Sequence, residues 1–369
     1  MVAVSFLKKL GIPSFSLKLF RGKPQRMIGI DIGVYSTKVV QLRYETERAI
    51  LETYGELLNE PYWKTGTGIG GGFLRYQDEG AVALLKNILR ESRITTLEAV
   101  LAIPATASFT VIIPFPRITR REVEHAIPYE ARKYIPIPIS EVILDWEILE
   151  TAEERELTEV LLVAVPREVV ERCQHIGETA GIKIQALEVE TFSLVRSLGR
   201  YDLAPTALIN FGHQSTTFSI IDQGRLRVSH TVNRGSQELT QALERGLGVN
   251  RERAETIKKD VGLSERIEER EISSVIAPLT ETLFSEIDRL IHLSNRRLPR
   301  KIQKINLTGG GANLKGIIEA AASHFGVEVT RGNPFARIVA PPFMQPVLRE
   351  IGPSFSVAVG LALHGISTR

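Results

Sequence analysis

Two segments 179 residues apart in this 369-residue chain share one layout. Residues 28–40 read as an apolar strand, then Asp31 and Gly33, then Ser36, Thr37 and Lys38, then a second apolar strand. Residues 207–221 repeat this with Asn210, Gly212, Ser215, Thr216 and Thr217. Each is a β-hairpin whose turn offers backbone N–H groups and hydroxyls to an anion. A third element, Thr308-Gly309-Gly310-Gly311-Ala312-Asn313, follows an apolar strand and precedes a predicted helix. The repetition calls for two related halves and a nucleotide held in a cleft between two domains.

Length and composition are consistent with that. A chain this long suits two large domains or four small ones. Its content of 43% hydrophobic and 24% charged residues is that of an ordinary globular protein. No apolar run approaches the length of a membrane span. The formal charge of +3 gives no ground for a nucleic-acid partner. A single cysteine, Cys173, excludes an internal disulfide and any cysteine-pair metal site. The seven histidines show no zinc-ligand spacing. Residues 1–26 carry Lys8, Lys9, Lys18, Arg21, Lys23 and Arg26 with no acid. They read either as a basic amphipathic segment for an anionic surface or as a solvated terminus, the simpler reading.

The periodicities order the elements. Strands at 27–32, 37–43 and 49–57 precede an amphipathic helix at 80–93 with Val82, Leu85, Ile88 and Leu89 inward. A buried strand covers 99–103. From Ser108 the texture changes: a strand at 109–113 that Pro114 and Pro116 should stop, and a helix capped by Thr119 and Glu122 that runs to Tyr134 past Pro128. Strands near 142–149 and 160–165 and a helix at 167–180 complete an insert of strand-helix-strand-strand-helix order. Strands within 205–232 and a helix at 236–247 then repeat the opening order. A long helix at 271–297, a helix at 314–325 after the glycine run, and a final helix at 355–364 close the reading. The expected domains are 27–107 with 184–203 and 346–369, an insert at 108–183, then 204–249 with 301–345, and 250–300. The spacing Gly66-Thr67-Gly68-Ile69-Gly70-Gly71 mimics a dinucleotide fingerprint. It neither follows a buried strand nor opens a helix, so it reads as a surface loop.

The three phosphate and adenosine segments, in this order, resemble the actin/Hsp70/sugar-kinase ATPase superfamily. The resemblance implies an α/β fold of the actin-like, duplicated ribonuclease H-like kind with two domains. Residues 188–195 are similar to the helix linking the halves, and Arg253-Ala254-Glu255-Thr256-Ile257-Lys258 to a segment that meets ribose and base. The insert, from Glu122 through Tyr134-Ile135-Pro136 to Asp145, resembles that of the PilM family, actin-like proteins of type IV pilus assembly. FtsA, the division actin, shares the layout. It commonly ends in a membrane-targeting helix, which the short stretch after the last predicted helix does not supply.

The resemblance implies ATP and Mg²⁺ as cofactors and a cytoplasmic scaffold peripheral to the inner membrane. Its partner would be the N-terminal cytoplasmic tail of PilN, alongside other pilus inner-membrane and motor proteins. Self-association is a further possibility of the fold. Asp31 would orient Mg²⁺ waters. Gly33, Ser36, Thr37, Lys38, Gly212, Ser215, Thr216, Thr217 and Gly235 would hold phosphates. Glu255 and Lys258 would meet ribose or base, with Gly309, Gly310, Gly311 and Asn313 at the adenosine. Glu190 would position the attacking water, and Tyr134, Ile135 and Pro136 would face the partner. Asn210 stands where the family has Asp, which makes hydrolysis weak or absent. A polymerising division actin, or a small-molecule kinase of the superfamily, is the alternative.

Overall fold

The computed structural model describes residues 26–63, 77–116, 118–152, 157–199, 204–296, 298 and 300–364. The basic segment, apart from Arg26, and the Gly66–Gly71 spacing lie outside them. The chain forms two compact units. One comprises residues up to Arg196 and from Val357; the other is Ser197–Ser356.

In the first unit β1 (Arg26–Ile32), β2 (Ser36–Glu45) and β3 (Arg48–Leu58) form an antiparallel meander. Helix α1 (Asp78–Glu91) carries the chain to β4 (Glu98–Ile103), parallel to β1, and β8 (Lys183–Val189) adds in parallel beyond it. The order is β3-β2-β1-β4-β8. The central strands are apolar nearly throughout, as strands covered on both faces must be. Helix α1 buries Ala81, Leu84, Leu85 and Ile88, with the expected Val82 and Leu89 partly buried against the same core, and it starts and ends two residues earlier than expected.

Between β4 and β8 lies the insert: β5 (Phe109–Pro116), α2 (Arg120–Glu130), β6 (Val142–Ala152), β7 (Leu157–Pro166) and α3 (Arg167–Ala180). Its sheet runs β5-β7-β6. The expectation that Pro114 and Pro116 stop β5 is corrected, since both pair with β7, opposite Glu159 and Leu157. A strand at the sheet's edge leaves one row of backbone groups unpaired, so a missing N–H is tolerated there. The predicted capping box on α2 is present: Thr119 Oγ1 accepts from Glu122 N, and Glu122 accepts from Thr119 N. Pro128 sits on the exposed face and α2 passes through it, ending at Glu130 in a 3₁₀ turn rather than at Tyr134. Helix α3 packs its apolar face with α1 in the core of the first sheet, away from the insert's own cluster.

The second unit repeats the scheme. Strands β9 (Thr206–Phe211), β10 (Thr216–Asp222) and β11 (Arg225–Val232) form the meander. Helices α5 (Ser236–Leu247), α6 (Arg251–Asp260) and α7 (Arg270–Asn295) follow. Then β12 (Lys304–Thr308) lies parallel to β9, and after α8 (Ile317–Phe325) β13 (Glu328–Arg331) lies parallel to β12. The order β11-β10-β9-β12-β13 is that of the first unit. Helix α4 (Glu190–Leu194) is short and passes into a π-helical turn over Val195–Gly199. The last helix, α9 (Gln345–His364), begins ten residues earlier than predicted and contains Pro353.

Candidate functional site: two phosphate hairpins and a glycine run

The duplication extends to single atoms. In the first hairpin Asp31 faces Lys38 and Ile32 faces Thr37. In the second Asn210 faces Thr217 and Phe211 faces Thr216. Gly33 N donates to Ser36 O at 3.2 Å, and Gly212 N to Ser215 O at 3.0 Å. The register therefore equates Asp31 with Asn210, Ser36 with Ser215, Thr37 with Thr216, and Lys38 with Thr217.

Two of these residues serve the turns themselves. Thr37 is fully buried, and its hydroxyl donates to Asn59 Oδ1 at 2.9 Å while Asn59 Nδ2 donates to Gly33 O at 2.8 Å. In the second turn the Thr216 hydroxyl, also fully buried, donates to Arg234 O at 2.8 Å, and Gly212 O accepts from Ser236 N at 2.9 Å. The same two groups, a threonine hydroxyl and a glycine carbonyl, are satisfied by one asparagine side chain in one half and by the backbone entering α5 in the other. The expected phosphate role of Thr37 and Thr216 is thereby corrected. Side chains alternate along a strand, so Ser36 and Lys38 share the opposite face. Gly235 is a packing residue: a Cβ there would lie 2.3 Å from His213 O.

Across β1, β2 and β3 the opposite face carries a row of charge. Lys38 is flanked in register by Asp31 and Glu56. Its Nζ lies 3.2 Å from Glu56 Oε1 and donates to Ser36 Oγ at 2.6 Å, while Ser36 Oγ donates to Glu56 Oε1 at 2.5 Å. The corresponding row in the second unit is Asn210, Thr217 and Thr231, with no charge.

Glu190, the first residue of α4, belongs to the first half-site. Its Oε1 accepts from Ala105 N at 2.9 Å, just past the end of β4. Burial pushes its pKa up to about 7, and the Asp31 charge adds to the shift against the Ala105 hydrogen bond. Burial likewise raises Asp31 to about 6, offset by Lys38 and reinforced by Glu56. Two carboxyls raised by burial, one of them further raised by the other's charge, fit a divalent cation. Among the described residues no group of three or more such ligands forms a metal cage. A Mg²⁺ here would keep its waters and be oriented by Asp31 and Glu190, which suits an ion that arrives on phosphate. Glu188, two residues earlier, is structural. It pairs with Arg196 at 2.6 Å and with His364 at 2.5 Å, and these partners hold it down to about 2 against its burial.

In the second unit Gly309 and Gly311 are required by packing. Gly309 has φ +83°, and a Cβ would meet Asn210 Oδ1 at 2.5 Å; one on Gly311 would meet the Phe211 ring at 2.4 Å. A Cβ on Gly310 would meet nothing within 4 Å, so its bareness serves an open face. Gly309 N and Thr308 Oγ1 both donate to Pro353 O at 2.9 Å, which ties the run to α9. The expected helix directly after the glycines is corrected. A 3₁₀ turn over Gly310–Asn313 comes first, and α8 starts at Ile317 after Gly316 at φ +75°. The helix N-terminus therefore does not adjoin the run. Asn313 Oδ1 is buried without a hydrogen-bond partner. Glu255 and Lys258 bond each other at 2.7 Å, and both bond Thr240 Oγ1, joining α6 to α5. Lys258 is nearly buried, so its ammonium is already committed.

In the insert Tyr134 and Pro136 are exposed, but Ile135 belongs to the core beside Val123 and Ile127. Its expected partner contact is corrected: the turn after α2, closed by Ile135 N to Ala131 O at 3.0 Å, directs it inward. Sequence reading missed Asn59, Glu56 and Ala105. Strand register could have found Glu56; nothing local marks Asn59 or Ala105.

A family model described as the type IV pilus assembly protein PilM matches residues 29–366. The chain belongs to this family. Among solved structures, the PilM–PilN type IV pilus biogenesis complex is 24% identical and superposes with a TM-score of 0.80 over 92% of this chain and 98% of that one. The ethanolamine utilization protein EutJ from Carboxydothermus hydrogenoformans gives 0.57 at 18% identity over 92% and 90%. MreB5 of Spiroplasma citri, bound to AMPPNP, gives 0.52 at 12% over 92% and 95%. The fold is thus the actin-like ATPase fold. FtsA cell division proteins also match in sequence. That of Streptococcus pneumoniae is 28% identical over 190 residues, covering 46% of this chain and 41% of that protein. That of Rhizobium meliloti is 29% identical over 181 residues, 43% and 40%. The chain spans about four-tenths of the length of these curated relatives, which fit it at the level of the superfamily.

Proposed function

We propose that this protein is an ATP-binding scaffold of type IV pilus assembly that works at the cytoplasmic side of the inner membrane. It captures the short N-terminal cytoplasmic tail of a PilN-type membrane protein and links it to other pilus inner-membrane and motor proteins. The observation that carries the nucleotide part is the pair of hairpins in identical register, one of them bearing Asp31, whose carboxyl burial raises and whose charge adds to the raised pKa of Glu190 on α4. In this reading the phosphate-binding groups of the first unit are Ser36, Lys38 and the turn N–H groups, and those of the second are Ser215, Thr217 and the Gly212 turn. The base passes Gly310. Among the described residues no helix is long and apolar enough to cross a membrane. In this reading the membrane is reached through partners. The tail meets the insert at Tyr134 and Pro136.

Turnover is slow in this reading. Asn210 cannot accept a proton and carries no charge, and losing one positioned group of this kind costs roughly 10²–10³ in rate. The test is calorimetric titration of Mg-ATP with phosphate release followed in the same sample. Tight binding, slow release, and loss of binding in Asp31→Ala are expected. Unchanged affinity in that variant, or fast release without a partner, would overturn the reading.

A further inference from the structure

The first half-site holds a carboxylate where an anion's partners stand. Glu56 is on β3, directly across from Lys38, and its Oε1 lies 3.2 Å from Lys38 Nζ and 2.5 Å from Ser36 Oγ. Lys38 and Ser36 are the two side chains of this hairpin that the nucleotide reading gives to a phosphate, and Lys38 also faces Asp31 on β1. The lysine thus sits between two carboxylates, with a third, Glu190, close enough to act on Asp31. The side chain of Glu56 is 39% exposed and that of Lys38 only 11%, so of the two the acid is the one that borders water. The neutral row of the second unit has no such occupant. Both hairpins share one register, so the difference lies in side-chain chemistry and not in backbone shape.

We propose that Glu56 is an internal competitor for the nucleotide's phosphates: it binds Lys38 and Ser36 in the ligand-free protein and must release them before a triphosphate can bind. This rests on the nucleotide reading above. Two consequences follow from the charges. Apparent affinity is lowered by the fraction of molecules in which Lys38 is engaged. Free ATP, a polyanion, meets the negative charge of Glu56, Asp31 and Glu190 against one lysine, so binding depends on the cation it carries. Glu56 sets how steep that dependence is.

The test compares the wild type, Glu56→Gln and Glu56→Asp by titration with a fluorescent ATP analogue, once with Mg²⁺ and once with EDTA. Circular dichroism checks the fold. Glu56→Gln removes the charge at the same size and should bind Mg-ATP at least about fivefold more tightly, with a larger gain in EDTA. Glu56→Asp retains the charge and should stay near the wild type. If the wild type binds and Glu56→Gln binds equally or more weakly, Glu56 does not compete, and the nucleotide reading stands. If only Glu56→Gln binds, the competition is complete and both ideas are supported. Absence of binding in both proteins overturns both.

Discussion

Asn59 offers the sharpest test of how the first phosphate turn is held. It is fully buried, and its amide accepts from the Thr37 hydroxyl and donates to Gly33 O, with a longer contact from the same Nδ2 to Val34 O at 3.5 Å. Asn59→Ala removes the two short bonds with the weak third, and strands a hydroxyl that is itself fully buried. An ordinary hydrogen bond contributes about 1 kcal/mol, and an abandoned buried donor costs about 1–3 kcal/mol. The expected loss of stability is therefore about 2–4 kcal/mol. In an Asn59→Ala/Thr37→Val double variant the stranded group is gone, so the combined loss should fall short of the sum of the single losses by about 1 kcal/mol. Trp63 reports locally, because its Nε1 donates to Val34 O at 3.3 Å in the same turn. Urea unfolding followed by Trp63 fluorescence in a Trp146→Phe background measures the effect. A single-variant loss under about 0.5 kcal/mol, or strictly additive losses, would refute the reasoning. Mg-ATP affinity should fall with Asn59→Ala as well, since the turn N–H groups lose their frame.

Other expectations are as direct. Asp31 and Glu190 hold protons more tightly in the folded, ligand-free chain, at about 6 and about 7 against 3.8 and 4.5 when unperturbed. Folded protein then binds more protons than unfolded across that window, so stability falls as pH rises from about 4 to about 7 and levels above it. A bound cation reverses the penalty, so the Mg-ATP-induced rise in Tm should be larger at pH 8 than at pH 5.5; equal rises would refute the paired carboxyls. Gly309→Ala should destabilise by about 2 kcal/mol or more, since it needs positive φ and collides with Asn210 and Phe211, whereas Gly310→Ala should leave the melting curve unchanged and weaken ATP binding. Identical behaviour of the two in melting and binding would contradict the open face. Asn210→Asp should raise phosphate release; no rise would mean that another group limits turnover.

The sequence by itself determined the duplication, because a phosphate hairpin is a local object. Its strands alternate, its glycine closes the turn, and its acid or amide precedes the glycine at fixed distance, so residues 28–40 and 207–221 carry the whole signal. The capping box at Thr119 and Glu122 was legible for the same reason: cap and partner lie within one helical turn. Tertiary structure decided what each turn residue does. Whether Thr37 meets phosphate or Asn59 depends on the register of β2 against β3 and on a residue 22 positions away. Whether prolines end β5 depends on its place at the sheet's edge, which neighbouring residues do not encode. Glu56 became part of the site only when β3 set it beside Lys38, and Ile135 left the partner surface only when a 3₁₀ turn rotated it inward. Local chemistry is written in short spacings; which groups meet across strands is fixed by pairing, and pairing is a property of the folded chain.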